Sequence, residues 1–270
     1  MLVNKYKYID IIGRVIISTP RGHLLQRSGY VGVDMHSHTH FSDGDASVKT
    51  LLSLARLRGI GVAITDHNEI KGNLLASRQK KVMTVPGIEV NSCNGRELLM
   101  YFYNHKDLNE FYLKYIKGKE IPSKSALDYF TLKWSEEEII EGGKKFNALM
   151  TVPHPFGIPN RGSYAFFESN RCFADVQGIE VINSLLTINK NRSAFYWAKN
   201  AGKTYFGGSD THTRFGIGRA VTVTYAVESV EDFIDNLKKH RSGVVGKELP
   251  FFGKVGGLLS ATKNLLFTRK

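Results

Sequence analysis

Cysteine is nearly absent from this chain. Cys93 and Cys172 are far apart and in no metal-type spacing, which argues against a disulfide framework or a thiolate zinc knot. No apolar run approaches the roughly 18 to 20 residues needed to cross a bilayer. The leading stretch MLVNKYKYIDIIGRVIIS is interrupted by Asp10 and Arg14 and followed by no small-residue cleavage site, so it does not read as a signal peptide. Internal repeats and low-complexity segments are missing as well. A cytoplasmic location is the expectation.

The composition is that of an ordinary globular chain, with 42% hydrophobic and 23% charged residues. At 270 residues it suffices for one large domain; barrels of alternating strands and helices often run to about 250. Lys and Arg number 37 against 25 Asp and Glu, a formal charge of +12. That balance favours acidic ligands: phosphorylated metabolites, nucleotides, nucleic acid or an anionic membrane surface. Solubility alone is the competing explanation for the excess Lys.

Strand-like runs recur at Val31–Met35, Val62–Thr65, Val82–Val90, Leu98–Tyr103, Ala148–Val152, Gly178–Ile182, Thr204–Gly207 and Ala220–Tyr225. Helical patterns lie between several of them. Ser47–Arg58 carries apolar residues on one face, Ser135 with Glu138 fits a capping box opening a helix that stops near Gly142 and Gly143, and Ser193–Asn200 is a further segment. Strands alternating with helices predict a mainly parallel sheet, and polar clusters at the strand ends favour a closed barrel over an open sheet. Only 91–96 separates two of the strands, too short for a parallel crossover, so an antiparallel hairpin is expected there.

Around a barrel domain at 30–250 we expect an N-terminal extension (1–29) with a β-prone stretch and an amphipathic, basic C-terminal tail (251–270). A mostly helical insertion is expected at about 105–145. Its aromatics Tyr112, Tyr115, Tyr129 and Trp134 suit packing on the barrel better than a lid. The tail, with Val255, Leu258, Leu259, Leu265 and Leu266 among basic residues, suits docking on its own protein better than peripheral contact with a membrane.

The polar residues at strand ends are the informative ones. DMHSHTHFSDG brings His36, His38 and Asp43, TDHN brings Asp66 and His67, PGIEV brings Glu89, VPHP brings His154, and GSDTH brings Asp210 and His212. Residues two apart on a strand face the same way, so His36 and His38 project together, as do Asp210 and His212. Imidazoles and carboxylates delivered repeatedly from strand ends are what a metal site requires. Asp66 suits either a ligand or a group orienting an imidazole. His23 and His240 read as surface residues, and His40 falls where the chain is turning.

These fragments, in this order over residues 31 to about 225, resemble the four ordered motifs of the PHP family, named for polymerase and histidinol phosphatase domains. The resemblance implies a distorted (β/α)7 barrel of α/β class with the metal site at the C-terminal ends of the strands. It also implies two or three divalent metals and hydrolysis of phosphate esters. Carried over by residue, it implies one metal on His36, His38, Glu89 and Asp210, a second on Glu89 and His154, and a third on Asp43, His67 and His212. Mixed imidazole and carboxylate ligands suit zinc, manganese or iron better than magnesium or calcium. Many family members carry a further histidine where this chain has Glu97 in GRELLMYFYNH, so Glu97 is a possible substitute ligand.

The expected activity is hydrolysis of a phosphomonoester or nucleotide by a metal-activated hydroxide. A nuclease acting on RNA or DNA ends is the alternative, favoured by the basic charge and the aromatic insertion. A metal-binding scaffold without catalysis is the alternative from another class. For the substrate phosphate, Arg161, Arg192 and Arg214 fall in expected barrel-mouth loops, and Asn183 ends a strand.

Overall fold

The structure is a computed structural model that describes residue 6 and residues 10–121, 131–157 and 163–250. Tyr129, Arg161 and the 251–270 tail lie outside the described residues. The chain enters through β1 (Val15–Ile17) and α1 (Gly22–Arg27). Strands β2 (Tyr30–Asp34), β3 (Gly61–Ile64) and β4 (Thr84–Asn91) then run parallel, connected by α2 (Val48–Arg58) and α3 (Lys71–Ala76). Helix α2 begins where Ser47 accepts the Thr50 N–H and ends at Gly59 in the left-handed region.

The expected hairpin is present: β4 turns back into β5 (Glu97–Tyr101), pairing Asn91 with Glu97 and Gly87 with Tyr101. The described residues of the 105–145 region are partly helical and partly strand. After α4 (His105–Phe111) and a wider π-type turn at Tyr112–Ile116 come two short strands, β6 (Glu120–Ile121) and β7 (Thr131–Leu132), and then α5 (Glu136–Lys144). The reciprocal Ser135–Glu138 capping box opens α5. Tyr112, Tyr115 and Trp134 pack against the buried apolar cluster outside the barrel.

Strand β8 (Leu149–Val152) is antiparallel to β5. Beyond α6 (Tyr164–Ser169), β9 (Gly178–Asn183) continues parallel to β8, and β10 (Thr204–Gly208) is parallel to β9. Helix α7 (Ile188–Asn200) starts a turn and a half before the sequence suggests. Its polar first turns hide the period, but Asn191 pins them to β9 by bonding both the N–H and the carbonyl of Asn183.

The chain finishes with β11 (Ala220–Tyr225), α8 (Val230–Lys238) and β12 (Gly243–Gly246). β11 is antiparallel to both β2 and β12, and β12 carries β1 at the sheet edge. Among the described residues the sheet therefore has ten strands rather than seven or eight, because the short β1 and Gly-flanked β12 extend it.

It is nearly closed. Gly207 of β10 accepts the Met35 N–H at 3.4 Å and exchanges two hydrogen bonds with Thr222 of β11. Val33, Ala63, Val85, Leu99, Leu149 and Phe206 fill the interior, and Phe233, Ile234 and Leu237 of α8 join them. Leu237 accepts from Thr204, at the start of β10, so α8 closes the end opposite the strand C-termini. The result is a mixed α/β, barrel-like fold with one open mouth.

Candidate metal centre

That mouth is lined with the polar residues the sequence singles out. His36 and His38 follow β2, and their Nε2 atoms face each other at 3.1 Å. Glu89, from β4, places Oε2 3.2 Å from His36 Nε2 and 3.3 Å from His38 Nε2. Asp210, after β10, places Oδ1 3.5 and 3.3 Å from the same nitrogens. A tetrahedral cation with ligand bonds of about 2.1 Å has ligand–ligand edges of about 3.4 Å. These five separations match that edge, so this donor set fits a metal ion.

Two further groups adjoin. Glu89 turns its other oxygen, Oε1, to His154 Nε2 at 3.3 Å, and Glu97 Oε2 lies 3.5 Å from the same nitrogen. Glu97 Oε1 is 3.9 Å from His67 Nδ1. On the opposite side Asp43 Oδ2 stands 2.8 Å from His212 Nε2 and 3.6 Å from His67 Nε2, while its Oδ1 is 3.4 Å from His38 Nδ1. In each of four overlapping groups, ligand atoms lie within 4.8 Å of one another: His38–Asp43–His67–His212, His36–His38–Asp210, His36–Glu89–His154 and His67–Glu89–Glu97. Eight of the nine strand-end residues, all but Asp66, are thus in one contiguous cluster with Glu97.

The backbone aims them. A lone bridge between Ser37 and Thr211 and another between His67 and Glu89 extend the parallel pairing past the strand ends. Asp210 donates its N–H to His36 O, and His38 donates to Thr211 O. His154 and Asp210 both adopt positive φ, 28° and 50°, a strained conformation that persists where surrounding contacts over-determine it.

Several orienting groups were not read from the sequence. Glu180 of β9, 1% exposed, lies 3.1 Å from His36 Nδ1 and also accepts the His154 N–H. Asn91 Oδ1 lies 3.0 Å from His67 Nδ1. The His212 ring places Nδ1 3.0 Å from Asp210 O. With each outer nitrogen donating, the inner nitrogen keeps its lone pair for the centre. The signal for Glu180 was available: a carboxylate inside the apolar run GIEVIN must find partners when buried. Asp34 is similar, fully buried beneath the site and accepting from the N–H groups of Ser209, Gly218 and His36.

Other residues fall outside the cluster. Asp66 accepts from Thr39 and Ser42, bracing the 36–43 turn. His40 is exposed and its ring packs on Phe41. Arg192 and Arg214 are exposed, and the Arg214 guanidinium lies over the Phe215 ring. Asn183 is buried with both amide protons committed, to Glu180 at 2.9 Å and Asp210 at 3.0 Å.

Electrostatically the cluster is a tight lattice of opposite charges. Burial opposes the His36 imidazolium, but Asp210, Glu89 and Glu180 outweigh it and raise its pKa well above the usual value. His154 and His212 rise to about 9, burial again being overcome, by Glu89, Glu97 and Asp210 at the first and by Asp43 and Asp210 at the second. Burial would raise Asp43, Glu89 and Asp210, yet the neighbouring imidazoles hold all three low. Without metal, protons on imidazole therefore occupy the electrostatic role of a cation.

Fold and site together define a barrel with a histidine- and carboxylate-lined metal-binding mouth, and comparison with known proteins narrows the class. Residues 189–242, which include Asp210 and His212, match the PHP-associated family model. An uncharacterized protein of Methanocaldococcus jannaschii is 28% identical over 167 residues, covering 56% of this chain and 81% of that protein. A two-domain protein from Bacteroides vulgatus, containing a predicted PHP-like metal-dependent phosphoesterase, superimposes with a TM-score of 0.59 at 19% identity, over 92% of this chain and 74% of the other. A lesion-specific endonuclease from Pyrococcus furiosus gives a TM-score of 0.60 at 16% identity, over 78% of this chain and 56% of its own. A similar match is to Endonuclease Q in complex with a 27-mer duplex bearing an abasic lesion at the active site. At these identities the likeness to the solved structures is one of fold. The PHP-type reading of the sequence motifs is met by both the PHP-associated match and the barrel.

Proposed function

We propose that this chain is a metal-dependent hydrolase of phosphate esters, acting on a phosphomonoester or nucleotide. The observation carrying this reading is the near-regular set of separations among His36 Nε2, His38 Nε2, Glu89 Oε2 and Asp210 Oδ1. His36, His38, Glu89 and Asp210 would hold one divalent ion, Glu89 with His154 and Glu97 a second, and Asp43, His67 and His212 a third. Zinc, manganese and iron suit such ligands. When bound, the ions supply Lewis acidity and a water acidic enough to ionise near neutral pH.

The protein's own part is orientation. Glu180, Asn91 and Asp210 O fix the outer nitrogens of His36, His67 and His212. Asn183 holds Asp210 Oδ2, leaving Oδ1 toward the imidazoles. We therefore assign Asn183 to positioning Asp210, and leave phosphate contact to Arg192 and Arg214 at the surface.

The test is metal analysis of the purified chain followed by a panel of phosphomonoesters, a 3′,5′-bisphosphonucleotide and short oligonucleotides. Two or three bound metals, with phosphate release that His36→Ala abolishes, are expected. A chain without metal would sink this reading, and bound metal without any phosphate release would favour the scaffold. The charge of +12 and the fold shared with endonucleases favour a second reading, cleavage of nucleic acid. Oligonucleotide cleavage without phosphomonoester hydrolysis would establish it.

A further inference from the structure

A second cationic site lies on the flank of the barrel. Arg21, His23, Arg58, Phe215 and Arg219 line a cavity of about 460 Å³ whose walls include none of the metal-centre side chains. Among the described residues no Asp or Glu lines it either. The Arg58 Nη1 atom is buried and has no hydrogen-bond partner among the described residues, and a buried donor left without an acceptor costs stability unless something else supplies one.

Burial lowers the Arg58 pKa, Asp34 opposes that, and Arg219 adds to the lowering, so two guanidiniums repel across this space. Asp34 already serves three backbone N–H groups, from Ser209, Gly218 and His36. It is the acidic group that acts on Arg58, and no acidic side chain is among the described residues that line the cavity.

Two features specify the ligand. Guanidiniums match phosphate oxygens through paired, planar hydrogen bonds. Phe215 is 69% exposed at the rim with the Arg214 guanidinium over its ring, so a base would stack on the other face or displace Arg214. The volume is that of a small-molecule pocket, typically about 300–1,000 Å³.

We propose that this cavity is an anion site separate from the metal centre, taking the phosphate of a mononucleotide among Arg21, Arg58 and Arg219 with its base against Phe215. The site stands on its own cavity and does not require the hydrolase reading. It nevertheless reaches the metal centre through one residue. Its wall residue Gly218 donates to Asp34, and Asp34 accepts the His36 N–H.

The full chain is titrated with adenosine monophosphate by calorimetry after chelator treatment, which removes metal but leaves imidazolium at the mouth, so the arginine variants decide which site is read. Saturable one-site binding is expected. Arg58→Gln/Arg219→Gln should weaken it at least about tenfold, while Lys49→Gln/Lys106→Gln, an equal charge loss on exposed lysines, leaves it unchanged. Phe215→Ala should weaken adenosine monophosphate but not inorganic phosphate. Equal weakening by both charge variants, or none by the arginine pair, overturns the proposal. If the arginine pair fails to fold, judged by circular dichroism, the exposed Arg21→Gln replaces it under the same criterion. A 5′-phosphorylated oligonucleotide should bind no more tightly than the mononucleotide. Much tighter binding, falling steeply with salt, would mean a strand is the ligand and the mononucleotide assignment is wrong.

Discussion

A histidine serves a cation through one nitrogen only if its other nitrogen is held elsewhere. Glu180 does this for His36, and its geometry gives a direct prediction. Glu180→Gln keeps the size but loses the charge, and should weaken metal binding about 10–100-fold. Competition with a metallochromic chelator measures it; unchanged affinity would remove Glu180 from that role. The pKa values of about 9 for His154 and His212 give a second prediction. These values lie above the unfolded value of about 6.5, so imidazolium stabilises the metal-free fold fully below pH 6.5. That contribution is lost as pH rises through 9. The metal-free melting temperature should therefore fall from pH 6.5 to 9. Metal loading at pH 7.5 should release protons, and affinity should climb over the same range. Calorimetry in buffers of different ionisation enthalpy reads the protons directly, and absent release would contradict the assignment.

At the scale of elements, the end of β10 is closely constrained by the metal centre. A Cβ on Gly208 would strike the His36 Cβ and come within 2.8 Å of Glu180 Oε1. Gly208→Ala should therefore displace His36, lower stability by roughly 1–3 kcal/mol and reduce bound metal. Gly202→Ala is the matched control. Its φ is +63° but no atom lies within 4 Å, so it should cost about 1 kcal/mol by backbone strain and leave metal content unchanged. Metal analysis and thermal melting separate the two. The ends of β2 and β10 were legible because His36, His38, Asp210 and His212 keep two-residue spacing beside apolar runs. Glu180 was not, because the reading of GIEVIN stopped at its apolar period. The reversed β11 was missed for a related reason. Residues 209–219 carry no helical pattern and are short for a parallel crossover, a signal the Ala220–Tyr225 run alone did not raise.

For the whole molecule, the cluster joins segments that are remote in sequence, from His36 after β2 to His212 after β10. Any ion that binds only this arrangement stabilises the fold by mass action. Chelation should lower the melting temperature by several degrees or more, and zinc or manganese should restore it. A melting temperature indifferent to chelator would show that the mouth holds no tightly bound ion. Among the described residues no helix is long and apolar enough to cross a membrane.

The near-closure of β10 against β2 has a consequence in time. His36 and His38 are synthesised early, but Asp210 and His212 arrive only when most of the chain exists. Contacts so distant in sequence form late, after the loops between them have closed. Full metal capture should then be a terminal event of maturation, and a chain released before β10 docks would be marked by its inability to retain the ion.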